Sequence, residues 1–173
     1  TTTILSRRIQ EIYTSDYQEQ VQARLNTEKS RRAHGTRNML IEPNPFGTNT
    51  TSLYVYFTTP SPASVSYTVT TPDDPAIPSF TRAAHQGRLY QTSHEFSVVG
   101  LVPSTKNKVT FTVAYEDGYK QTQDYTYVMG DRWGTEPIKL SKKTTAKGQA
   151  VNAGIEDELG QSLYAVLGTG RQD

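Results

Sequence analysis

Apolar and polar residues alternate in the middle of the chain, and this alternation constrains the fold more than any other feature. It is clearest over residues 53–57, 65–69, 109–115 and 121–128, and a weaker version begins at Phe96. A period of two places successive side chains on opposite faces of a β-strand, whereas an amphipathic helix needs a period near 3.6. The pattern therefore predicts several half-buried strands.

Turn residues separate these runs, and no helical period lies between them. Asp117 and Gly118 stand between the last two runs and predict a β-hairpin. At least five strands in about 90 residues predict a mainly β domain, an antiparallel sandwich of the immunoglobulin or fibronectin type III class. The absence of cysteine favours the fibronectin-like variant. The predicted core consists of Val55, Phe57, Val65, Tyr67, Val69, Phe96, Val109, Phe111 and Val113.

The N-terminal residues predict an amphipathic helical segment. From residue 6 to 38 the chain is rich in Gln, Glu and Arg and has neither Pro nor Gly before Gly35. Ser15 and Gln18 have the spacing of a capping box, which predicts a first helix from about residue 6 and a second that ends near residue 28. One apolar stripe, which we call the helix stripe, runs along the segment at intervals of four: Ile9, Tyr13, Tyr17, Val21 and Leu25.

The helix stripe is too apolar to remain in contact with water and too short to form a stable helix alone. We expect it to contact another domain or a second subunit in the complete protein. In the isolated chain it would either mediate self-association or fold back on the sandwich.

Charge and composition exclude several classes of partner and chemistry. Among 173 residues, 18 Lys and Arg oppose 17 Asp and Glu, so the net charge of +1 gives no field that implies a nucleic acid partner. No apolar run approaches the roughly 20 residues that span a bilayer. Without cysteine there is no disulfide, thiolate nucleophile or Cys-ligated metal. The chain starts at Thr1 without a signal-peptide pattern, as a mature or excised fragment would.

The sequence offers few residues for catalysis. The three histidines, His34, His85 and His94, lack partners at metal-ligand spacing, so we predict structural roles for them. Asp73 and Asp74 lie in a Pro-flanked segment and predict a turn rather than a calcium site. The acidic run at 156–158 is predicted to be a solvated turn. No catalytic, cofactor-binding or metal-binding residue is therefore predicted.

Aromatic residues suggest one further kind of site. A platform on which a sugar ring stacks needs several exposed aromatic side chains on one surface. Packing within the strands is the alternative, because tyrosine is common in strands for that reason alone. The candidates are Tyr54, Tyr56, Tyr90, Tyr119 and Trp133.

Two motifs point to a particular family. Asn-Pro-Phe-Gly at 44–47 precedes the first predicted strand, and His-Glu-Phe at 94–96 is followed by Gly-Leu-Val-Pro at 100–103. With the strands around them, these motifs make residues 39–127 resemble the N-terminal domain of bacterial arylsulfate sulfotransferases. In that family a small β-sandwich precedes a β-propeller. The enzyme moves a sulfuryl group from a phenolic sulfate to another phenol, and a propeller histidine carries the group.

The resemblance implies a division into three segments. Residues 1–38 would be the helical segment, 39–129 the β-sandwich, and 130–173 a linker with the start of a truncated propeller, whose first strand would be at 163–167. Because the family's catalytic residues lie in the propeller, this chain would be a non-catalytic accessory domain. Its partner would be its own propeller, with a homodimer as a further expectation, and its location would be extracytoplasmic. The alternative is a fibronectin-like module that binds glycan or protein on a bacterial surface.

Overall fold

Two helices precede six antiparallel strands in the computed structural model, which describes residues 2–85 and 90–130, with side chains from residue 7 onward. The predicted segment 130–173 lies outside the described residues, apart from Gly130. The elements are α1 (Thr2–Ile12), α2 (Ser15–Arg31), β1 (Leu40–Pro43), β2 (Leu53–Thr70), β3 (Phe80–Ala83), β4 (Gln91–Val98), β5 (Lys106–Tyr115) and β6 (Lys120–Val128).

Strand β2 organises the sheet because it pairs with four other strands. Its first half, residues 53–58, lies between β1 and β4, and its second half, residues 63–70, lies between β5 and β3. β6 then pairs with β5. The ladder with β4 shifts register between Thr58 and Ala63, where Pro60 and Pro62 cannot donate backbone hydrogen bonds. One strand therefore runs through both halves of a curled sheet, which is the immunoglobulin-like β-sandwich class that the sequence predicts.

The inner faces of the two halves enclose the core. The ring of Phe96 on β4 lies 6.2 Å from that of Phe111 on β5, centroid to centroid, and 6.1 Å from that of Tyr67 on β2. Phe57 makes a further edge contact with Phe96 at 6.4 Å. All nine residues of the predicted core are buried, so that prediction is confirmed.

The strand pattern differs from the prediction at three points. The runs at 53–57 and 65–69 belong to one strand, because the chain continues through the two prolines without a turn. β1 and β3 were not predicted, since each has only four residues and neither has the alternating burial of a typical strand. Leu101, assigned to the strand that contains Phe96, lies beyond the end of β4 although it is buried.

The predicted break between two helices is confirmed, with a different capping residue. Thr14, not Ser15, is the N-cap of α2, and its side-chain oxygen accepts a hydrogen bond from the Tyr17 amide at 3.3 Å. Gln18 instead donates to the backbone oxygens of Ile12 and Phe46, at 2.6 and 3.0 Å. α1 starts earlier and α2 ends later than expected. Within residues 2–85 and 90–130, no helix is both long enough and apolar enough to cross a bilayer.

Replacing Phe111 tests the register of the core. Phe111→Ala should lower the free energy of unfolding by about 3–5 kcal/mol, because it leaves a cavity at a fully buried position. Urea denaturation measures the change. Thr122→Ala, on the exposed side of β6, is the control and should shift stability by less than about 0.5 kcal/mol. An unchanged urea midpoint for Phe111→Ala would mean that the side chain faces solvent.

Candidate functional site

Helix α2 packs on the outer face of the first half of the sheet. Val21 and Leu25 are buried there against Tyr54 of β2, and Leu40 and Tyr56 extend the contact. Val21 and Leu25 therefore follow the second outcome expected for the isolated chain and are not exposed for contact with another domain or subunit. They fold back on the domain itself, because the outer face of the sheet offers an apolar surface at this point.

The other end of the helix stripe remains in contact with solvent. Ile9 on α1 is 49% exposed, and Tyr13, between the helices, is 69% exposed. Tyr17 is half-buried at the edge of the contact with the sheet. Burial thus increases along the stripe from Tyr13 to Leu25.

Charged side chains hold the border between α2 and the sheet. Glu95 of β4 accepts hydrogen bonds from Lys29 Nζ at 3.1 Å and from the hydroxyl of Tyr54 at 2.7 Å. Arg24 donates two hydrogen bonds to the carboxylate of Glu42. Burial, followed by the contact with Glu95, raises the pKa of Tyr54, so its hydroxyl remains a donor. Exposed ion pairs contribute little energy, so these contacts orient a helix that apolar burial holds in place.

The Asn-Pro-Phe-Gly motif forms the corner on which the helices rest. Asn44 has a φ of 41°, and its carbonyl accepts a hydrogen bond from the Gly47 amide at 3.1 Å. Gly47 has a φ of 75°, and a Cβ there would lie 2.9 Å from the side chain of Ile12. Phe46 packs beside α2 and accepts the hydrogen bond from Gln18. This motif therefore positions the junction between α1 and α2.

The Gly-Leu-Val-Pro segment has a similar structural role after β4. Gly100 has a φ of 85°, and a Cβ there would lie 2.7 Å from the ring of Phe80. The fully buried side chain of Asn107 accepts a hydrogen bond from the Val102 amide at 2.8 Å and donates to the Val102 carbonyl at 2.9 Å. Leu101 is thereby held in the core.

His94 lies inside the sandwich and not on a reactive surface. Its ring is fully buried and stacks on Phe57 with centroids 4.8 Å apart. Nε2 lies 3.3 Å from the hydroxyl of Thr59, and Nδ1 has no hydrogen-bond partner among the described residues. Burial, together with the nearby His85 ring, lowers the pKa of His94 to about 4. The imidazole is therefore neutral at physiological pH and inaccessible to a substrate.

The strands of the sheet lie within a segment that matches a known protein family. The family model described as the arylsulfotransferase Ig-like domain matches residues 40–130, more than half of the chain. The chain belongs to this family. A search of curated proteins returned no match. The matched residues begin at β1 and end just after β6, so the Ig-like domain corresponds to the whole curled sheet.

The other two histidines also have hydrogen-bonding contacts. His34 is buried at the end of the helical segment, with its ring nitrogens 3.1 and 3.2 Å from the carbonyl oxygens of Glu28 and Asn38. His85 Nε2 lies 2.8 Å from the side-chain nitrogen Nε2 of Gln91. Both rings are therefore held by neighbouring groups, and their structural role stays a prediction.

The acidic candidates do not converge on a metal-binding site within the described part of the chain. Asp74 accepts a hydrogen bond from the Ala76 amide at 3.2 Å, which confirms the predicted turn, and Asp73 pairs with Lys106 at 3.0 Å. The acidic run at 156–158 lies outside the described residues.

The candidate tyrosines Tyr54, Tyr56, Tyr90 and Tyr119 do not form one exposed surface on which a sugar could stack. Tyr54 is buried and Tyr56 half-buried beneath α2. Tyr119 is exposed at the turn between β5 and β6, where it stacks on Tyr115 at 5.7 Å, and Tyr90 is exposed just before β4. Trp133 lies outside the described residues. Sequence alternation could place Tyr54 and Tyr56 on the outer face but could not show that a helix covers this face.

Acidification tests the environment of His94. Its folded-state pKa lies below the ordinary value of 6.5, so the unfolded chain takes up a proton that the folded domain does not. The free energy of unfolding should therefore fall as the pH drops from about 6.5 towards 4. The titration of His94 alone should account for roughly 2–4 kcal/mol of this loss. Denaturation in urea at several pH values measures the loss.

His94→Phe should remove most of this pH dependence, because it keeps an aromatic ring on Phe57 without a titrating group. His85→Asn separates the contribution of the second ring, whose pKa is also lowered by burial. An unchanged pH dependence in His94→Phe would show that His94 is not the acid-sensitive group.

Proposed function

We propose that this chain is the accessory domain of an arylsulfotransferase whose catalytic centre lies in another part of the protein. The complete enzyme would transfer a sulfuryl group from a phenolic sulfate ester to a second phenol. The match of the Ig-like family to residues 40–130 carries this proposal, because it covers every strand of the domain.

The chemistry of sulfuryl transfer supports a separate catalytic domain. The reaction needs an accessible nucleophile or base, with cations beside the sulfuryl oxygens on which charge develops. His94 is fully buried. The cations at the edge of α2, Arg24 and Lys29, are already paired with carboxylates. We therefore assign a structural and interaction role to this domain and the chemistry to a β-propeller, as the family resemblance implies.

The exposed end of the helix stripe is the surface that we assign to a contact with the propeller or with a second subunit. Ile9 and Tyr13 lie beside the corner formed by Gly47, whose contact with Ile12 fixes the junction between the helices. We also propose an extracytoplasmic location, for which the family resemblance is the support. A glycan-binding module is less well supported, because Tyr54 and Tyr56 lie beneath α2.

An activity assay tests this proposal. The complete natural protein should release 4-nitrophenol from 4-nitrophenyl sulfate and sulfate an added phenol, whereas the pure 173-residue chain should show no turnover above the blank. Mass spectrometry of the acceptor distinguishes transfer from hydrolysis. Turnover by the chain alone that is lost in His94→Ala would overturn the assignment of chemistry to another domain. Absence of transfer by the complete protein with a panel of phenolic sulfates would contradict the proposed reaction.

A further inference from the structure

A small cavity opens between β1 and β6 on one side of the sandwich. Its volume is about 120 Å³, and residues with apolar side chains form much of its wall. Ile41 belongs to β1, Phe111 to β5 and Tyr125 to β6, while Met39 comes from the segment before β1. We call this space the edge cavity.

The topology explains why the sheet is open at this position. β1 pairs with the first half of β2, whereas β5 and β6 continue from the second half. No described strand pairs directly with both β1 and β6. Phe111 is fully buried and belongs to the main core, so the edge cavity ends where the core begins.

The size and lining of the edge cavity suit one aromatic ring. An apolar protein cavity of about 150 Å³ can bind benzene, so a space of this order accommodates a single six-membered ring. Tyr125 is half-buried and offers an aromatic surface, and ring pairs are favourable in offset or edge-to-face arrangements. The thioether of Met39 adds a polarisable contact.

A positively charged side chain lies at the rim of the edge cavity. Arg37 lines the rim, is exposed, and forms no ion pair with any described residue. Asp124 also lines it, but its carboxylate is held by Lys108 at 2.8 Å and by the hydroxyl of Thr110 at 2.7 Å. These two contacts lower the pKa of Asp124, so the pair with Lys108 persists at neutral pH. Arg37 is therefore free to attract an anion.

We propose that the edge cavity binds a single aromatic ring that carries an anionic substituent, with the ring against Ile41 and Tyr125 and the anion beside Arg37. Phenolic sulfates and aromatic carboxylates share this chemistry. Such binding goes beyond the proposed function, because it needs no sulfuryl transfer and takes place in the accessory domain itself. It is therefore testable even if the complete protein has another activity.

The two methionines provide a built-in probe and control. Met39 lines the edge cavity, whereas Met129 is buried in the core and does not line it. In the full chain labelled with ¹³C at the methionine methyl groups, phenyl sulfate should shift the Met39 resonance with saturation near 1 mM, as expected for a ligand of this size. The Met129 resonance should stay in place. Methyl sulfate, which lacks the ring, should shift neither resonance.

Matched variants separate cavity filling from general perturbation. Gln123 and Gln121 lie two residues apart on β6, and both pair with inward-facing residues of β5, but only Gln123 lines the edge cavity. Gln123→Phe should weaken binding of phenyl sulfate at least about tenfold by filling the space, whereas Gln121→Phe should leave it unchanged. Arg37→Gln should weaken binding about threefold, the effect expected of one exposed charge.

The ligands and variants together decide the proposal. Benzoate that binds as well as phenyl sulfate would indicate a general site for aromatic anions, and preference for phenyl sulfate would indicate a sulfate ester as the ligand. No saturable shift at Met39 up to the solubility limit of either ligand would overturn the proposal. Equal loss of binding in both glutamine variants would overturn it as well, and if Gln123→Phe fails to fold, Arg37→Gln must still show the weaker binding.

Discussion

Strand β2 is the element on which the rest of the structure depends. Its 18 residues form the centre of both halves of the curled sheet, so its inner face contributes to the core along almost its whole length. Pro60 and Pro62 lie where the register changes. Because the two halves share one strand, they cannot be positioned independently, and packing of Phe96 against Phe111 closes the sandwich between them.

Helix α2 is an integral part of this arrangement, since the first half of β2 presents Tyr54 on its outer face for Leu25 to cover. The two sequence motifs that carry the family resemblance serve the same architecture. Gly47 provides the corner for the helices, and Gly100 provides space for the ring of Phe80. The resemblance therefore identifies a domain by residues that shape its backbone.

Sequence periodicity predicted the inner face of the sheet correctly, because burial of alternate residues leaves a direct mark on the sequence. It missed β1 and β3, whose pairing depends on β2 more than on a pattern of their own. It also could not predict where the helix stripe would dock, since an apolar stripe does not specify the surface that covers it. The edge cavity depends on the distance between two strands that are not neighbours in the sheet, which no local pattern records.

Hydrogen exchange of the dilute, monomeric chain tests whether helix and sheet form one cooperative unit. If α2 belongs to the domain, the amides around Val21 and Leu25 should open with the same free energy as those in the second half of β2, residues 63–70. Amides near Ile9 should exchange faster, because this end of the helix stripe is exposed. Rapid exchange throughout α2 while β2 remains protected would contradict the account, since the helix would then be only loosely attached to the sheet.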